Sequence, residues 1–196
     1  MQDSLHPLLQ ELLDDHGFLA VVLVIVIMAP VVIILLRAWM KNRRQERQIR
    51  RVIRRLGLWS MHNIQLPDGT GGEVTIEHLL LGRDAIHVVG VKRFEGLIFG
   101  SPHTDQWTQV INRQSYKFDN PDYYLQRQVN AVKLMAPGAR VSGWHLFGHG
   151  ASFPKGKSDN VLLLDDVRSL PKRPRRRDIP KPLLATWKQL AEELSS

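Results

Sequence analysis

The run FLAVVLVIVIMAPVVIILL, residues 18–36, constrains this chain more than any other feature, because it contains no charged residue. At about 1.5 Å of rise per helical residue it is just long enough to cross a hydrocarbon layer about 30 Å thick. We therefore expect a transmembrane helix over residues 18–39, with Pro30 tolerated inside the span. A cleaved signal peptide would carry basic residues before its apolar run, whereas this leading segment holds Asp3, Glu11, Asp14 and Asp15. The anchor is thus expected to stay. After it come Arg37, Lys41, Arg43, Arg44, Arg47 and further arginines up to Arg55, opposed only by Glu46. By the positive-inside rule the N-terminus lies outside and the main domain is cytoplasmic, in a single-pass protein of the plasma (inner) membrane.

The 196 residues suffice for this anchor and one domain with a core. Without cysteine there are no disulfides and no thiolate metal sites. The net charge of +8 is concentrated in the juxtamembrane block and in KRPRRR, residues 172–177. Such blocks attract anionic lipid at about 1 kcal/mol per basic residue near the surface. They also attract DNA or RNA through counterion release, and charge alone does not choose between the two.

Beyond the anchor, NRRQERQIRRVIRRLG repeats Ile49, Val52, Ile53 and Leu56 at helical spacing and closes at Gly57. Glu46 falls on the same stripe, although an ion pair with Arg50 explains its spacing equally well. MHNIQL reads as a strand, PDGTGG as a turn, EVTIEHLLL as a second strand, GRD as a turn and AIHVVGVK as a third strand. The last two should form an antiparallel hairpin, which sets Glu77 beside Gly90 and Lys92. GLIFG and DQWTQVI add strands, residues 121–135 a helix, and RVSGWHLFG and NVLLLDD two more strands, the second buried. Leu183, Leu184, Trp187, Leu190, Ala191 and Leu194 then share one helical stripe. The expected class is α/β with a mixed sheet flanked by helices, or else a mostly β domain with a helical cap.

The order of these elements, and the stretch GGEVTIEHLLLGRDAIHVVGVKRFEGLIFGSPHTDQWTQV with YKFDNP after it, resembles the nuclease-related domain (NERD) family. That family is similar to the PD-(D/E)xK nucleases with a restriction-endonuclease-like fold. By this resemblance Glu46 matches the helical acid, Glu77 the strand acid and Lys92 the lysine of E-x-K. Asn120 and Pro121 match the NP that opens the following helix, where Gln126 or Gln128 stands for a glutamine. Gly90 falls where the family carries the glutamate of E-x-K. The resemblance implies catalysis by Lys92, Glu77 and Glu46, with Glu77 and Glu46 as ligands of Mg²⁺ or Mn²⁺. In such a site the ion polarises the phosphate and activates water, while the lysine stabilises developing charge.

Glycine supplies no ligand, so Gly90 reads as a deleted carboxylate. Glu95 or Glu73 could replace it only from a different register. Read without the resemblance, Gly90 marks a bulge or a close backbone approach, and Lys92 is a solvated strand end. His145 and His149 in WHLFGHG are four apart on an expected strand, where that spacing does not gather two metal ligands. Trp107, Tyr116 and Phe118 are available for base stacking or for a core.

The expected domains are an extracytoplasmic segment 1–17, the transmembrane helix 18–39, and a cytoplasmic nuclease-related domain 40–168. A basic proline-rich linker 169–181 and an amphipathic helix 182–196 follow. Three functions fit: a membrane-anchored nucleic-acid-binding nuclease, a binding module that has lost hydrolysis, or a lipid-facing scaffold for protein partners that the sequence does not identify.

Overall fold

The computed structural model describes residues 15–194. Most of the expected extracytoplasmic segment, residues 1–14, lies outside the described residues, as do residues 195–196. The chain divides into two units, Met1–Glu46 and Arg47–Ser196. The first is dominated by helix α1, Asp15–Leu56, which continues into the second. The expected anchor and the expected basic helix are therefore one helix of 42 residues, since nothing in RAWMKN, residues 37–42, breaks it. Gly57 ends it as anticipated, with the Gly57 N–H donating to the Ile53 carbonyl. Its apolar part is long enough to cross a membrane, and Leu19, Ile27 and Leu35 are each more than half exposed.

The second unit is mixed α/β, with two mixed sheets among the described residues. Strands β1 (Ser60–Pro67), β2 (Glu73–Leu81) and β3 (Ile86–Lys92) pair antiparallel in sequence order. β7 (Val141–Phe147) and β9 (Val161–Leu163) extend that sheet in parallel, giving the order β1-β2-β3-β7-β9. The turn between β1 and β2 is built by Asp68, whose carboxylate accepts from Thr70 N–H and Gly72 N–H. Arg127 of helix α2, Pro121–Met135, holds the same carboxylate at 2.6 Å.

Alternation along β3 sorts its side chains onto the two faces of the sheet. Val88 joins the core under α2 and the C-terminal helix α3, Lys181–Glu193. Val89 and Val91 join a second core with Ile49, Val52 and Ile53. The terminal helix contributes Leu183, Trp187 and Leu190 to the first core, and Ile179 of the preceding basic segment is buried there too.

The smaller sheet, β6-β5-β4-β8, combines β4 (Gly96–Phe99) and β5 (Gln106–Ile111) with two strands not expected from the sequence. β6, Gln114–Asp119, is mostly polar and exposed, so its pattern carries no apolar face to betray it. It is hairpinned to β5 through Asn112 and Arg113, both at positive φ, as tight hairpin turns require. β8 is only Ala151–Ser152. The stretch NVLLLDD, expected as one buried strand, is an edge strand that turns into a 3-10 helix, Leu164–Arg168. Val161 and Leu164 are buried, whereas Leu162 and Leu163 are half-buried.

Candidate functional site

The β2–β3 hairpin brings Glu77 and Lys92 together. Its paired register ends at His78 opposite Val89, and one step further Glu77 reaches across to accept from Val91 N–H at 2.9 Å. On the other side of β3, Gly90 stands opposite His145 of β7. Helix α2 lies over this row because Asn120 caps it, accepting from Asp122 N–H, with Pro121 in its first turn. Pro121, Tyr124, Leu125 and Gln128 share one helical face and close a cavity of about 160 Å³ over Thr75, Glu77, Gly90, Lys92 and His145.

Gly90 is the open point of that cavity. A Cβ built on it would meet no heavy atom within 4 Å. Gly143, two residues before His145 on β7, shows the opposite: a Cβ there would stand 2.7 Å from Leu125 and 2.9 Å from Val129. Close approach of α2 thus explains the glycine at 143 and does not explain the one at 90. Nor does Gly90 adopt a positive φ.

Lys92 is half-buried, and burial pulls its ammonium below the usual lysine range while the Glu77 charge pulls it partly back. His145 is 1% exposed. Its Nε2 lies 2.9 Å from Asp122 Oδ1, the oxygen that also accepts from Asn160 Nδ2 at 2.6 Å. Burial lowers the His145 pKa, Asp122 opposes that shift, and the Lys92 charge adds to it. A neutral imidazole donating from Nε2 leaves Nδ1 as an acceptor, and Nδ1 has no hydrogen-bond partner among the described residues. Gln128 donates to the Thr75 carbonyl at 2.5 Å, and the Tyr124 hydroxyl donates to the same oxygen.

Of the residues expected at the site, Glu77 and Lys92 line the cavity with Gly90 between them. Glu46 belongs to the N-terminal unit and is not among the lining residues. Neither Glu73 nor Glu95 lines the cavity. Of the two candidate glutamines, Gln128 lines the cavity and Gln126 does not. His145 and His149 turn to different carboxylates, Asp122 and Asp165. Trp107 is buried among Phe118, Phe147 and Phe153, so it serves the core, while Tyr116 is exposed. Thr75, Tyr124 and His145 had no motif to mark them as lining residues. Their signal is register: Thr75 is two before Glu77, and His145 faces Gly90 across a parallel pair.

Of the two carboxylates that the resemblance implies as metal ligands, Glu77 lines this cavity. Among the described residues Glu77 is the one carboxylate lining the cavity, and one of its oxygens is engaged by Val91 N–H. Among the described residues no group of three or more His, Cys, Asp or Glu side chains is arranged to hold an ion. What remains is a small, half-closed pocket with one cation, one carboxylate, an imidazole acceptor and an open floor at Gly90.

Comparison with known proteins places the match where this site lies. The nuclease-related domain matches residues 41–149. A Bacillus anthracis protein described as uncharacterized is 26% identical over 98 residues, covering 48% of this chain and 46% of that protein. The chain therefore spans about half the length of that relative. No solved structure matches the chain.

Proposed function

Because the chain belongs to the nuclease-related domain family, we propose that it binds nucleic acid at the membrane surface and has lost phosphodiester hydrolysis. Helix α1 anchors it, with the N-terminus outside and the nuclease-related domain on the cytoplasmic side of the plasma membrane. The observation that carries this reading is the open space at Gly90: the lysine and one acid of the E-x-K site are present, and the second acid is missing from a place that has room for it. Lys92 offers its charge to a phosphate oxygen, and Gln128 and Tyr124 stand beside the opening. The excess of basic residues supplies the sequence-independent part of the affinity.

The test uses the full chain in detergent with labelled DNA and RNA, in Mg²⁺ or Mn²⁺, beside Gly90→Glu and Lys92→Ala. The parent should bind with an affinity that falls steeply as salt rises, and should not cleave. Gly90→Glu should cleave, and should also gain thermal stability on adding the ion while the parent gains none, since a ligand stabilises only the state that binds it. Cleavage by the parent that disappears in Lys92→Ala would overturn the loss of hydrolysis. Absence of binding by every variant would leave a membrane-surface scaffold instead.

A further inference from the structure

The basic segment before α3 does more than carry charge. Arg176, Arg177, Lys181 and Lys188 line a groove of about 710 Å³ whose remaining wall is Ile179, Leu184 and Ala185. Among the described residues no acidic side chain lines it. Arg176 and Arg177 also line a second groove of about 660 Å³, where Arg83, Lys172, Arg173 and Arg175 join them. There the single acid is Asp178, whose carboxylate accepts from Arg175 N–H and lies 3.9 Å from Arg177 Nε. Neither groove shares a lining residue with the cavity at Gly90.

We propose that this groove binds the headgroup and adjoining alkyl portion of an anionic phospholipid, giving the second unit its own contact with the bilayer. The inference rests on the membrane-anchored reading above. A cationic rim around an aliphatic floor is complementary to an amphiphile with a phosphate at one end and alkyl chain at the other, and its volume is that of an ordinary ligand site. Nucleic acid fits less well: no aromatic ring lines the groove to stack a base, and a phosphate backbone has no use for the Ile179 and Leu184 wall. The apolar part of α1 brings the bilayer to the same chain.

The chain contains no cysteine, so Ala185→Cys gives one labelling position, on an exposed residue of the groove. The full chain, carrying an environment-sensitive fluorophore there, is incorporated into nanodiscs of phosphatidylcholine with or without phosphatidylglycerol. Acyl chains brominated near the glycerol serve as quenchers. Quenching should require phosphatidylglycerol. Arg176→Gln with Arg177→Gln should weaken it about 25-fold, at about fivefold for each basic side chain. Lys181→Gln with Lys188→Gln should do the same, and Lys117→Gln, on exposed β6, should leave it unchanged.

Equal quenching in both lipids would mean that tethering alone brings residue 185 to the surface, and would overturn the proposal. So would phosphatidylglycerol-dependent quenching that neither double variant weakens. A label indifferent to lipid but shifted by oligonucleotide, with the shift lost in the double variants, would make the groove a nucleic-acid surface. Failure of the chain to enter nanodiscs at all would instead refute the anchoring on which the proposal depends.

Discussion

Alanine at positions 90 and 143 forms a matched pair that tests whether the vacancy at Gly90 is real. Both glycines lie on central strands, on the sheet face under α2, and their neighbours pair in one register, Val88 with Gly143 and Gly90 with His145. A methyl group at 143 would enter Leu125 and Val129, whereas one at 90 would enter the cavity. Overpacking a core costs about 1–3 kcal/mol. Replacing a strand glycine by alanine where space is free gains about 0.5–1 kcal/mol, because the unfolded chain loses freedom. At about 2–4 °C per kcal/mol for a unit of this size, Gly90→Ala should raise the unfolding midpoint by about 1–4 °C and Gly143→Ala should lower it by about 2–12 °C. Thermal unfolding of the full chain in detergent, followed by near-ultraviolet circular dichroism, measures both. If Gly90→Ala destabilises as much as Gly143→Ala, the glycine is there for packing and the argument for a missing ligand collapses.

His87 and His145 both have pKa values held below the usual 6.5, burial being the first cause in each. The folded state then binds fewer protons than the unfolded state once pH drops below about 6.5, so stability is full above that pH and is lost below it. The slope is at most about 1.4 kcal/mol per pH unit for each histidine, and His145→Gln should remove its share; a denaturant midpoint that ignores pH between 7 and 5 would contradict this. Lys92 and Glu77 should show a coupling of about 0.5–3 kcal/mol in a double-mutant cycle built from Lys92→Met and Glu77→Gln, because the two opposite charges interact across one cavity. Zero coupling at low salt in urea unfolding would mean that the lysine is not set against the acid.

Where side-chain periodicity is strong, the sequence specified the elements. EVTIEHLLL is β2 residue for residue, and α2 begins at the Pro121 that follows its Asn120 cap. The Glu77–Gly90–Lys92 juxtaposition followed from the hairpin alone, since its short turn leaves little choice of register. What the pattern could not give was contact between elements far apart in sequence. β6 has no apolar face, and β9 looks internal by composition yet ends a sheet. The Asp122–His145–Asn160 network joins a helix start, a strand and a loop, and no spacing rule links residues 23 and 38 positions apart. Gly90 and Gly143 are likewise identical letters in similar apolar strands. Only the position of α2 separates a glycine that packing demands from one that packing leaves free.

That difference bears on what the cavity is for. In the row Glu77, Gly90, His145, a carboxylate at the middle position without an ion would face the Glu77 charge across adjacent strands, where like charges destabilise. That repulsion disfavours an acid at position 90 wherever no ion offsets it. It does not by itself favour glycine, because alanine or valine would remove the same repulsion, suit the strand better and fill the floor of the cavity. Glycine keeps the full opening beside Lys92, with Gln128 and Tyr124 at its edge. An inert scaffold has no physical use for that space, whereas a pocket that admits part of a phosphate-bearing ligand does. Under the proposed function, the residue that argues against hydrolysis thus also argues for binding.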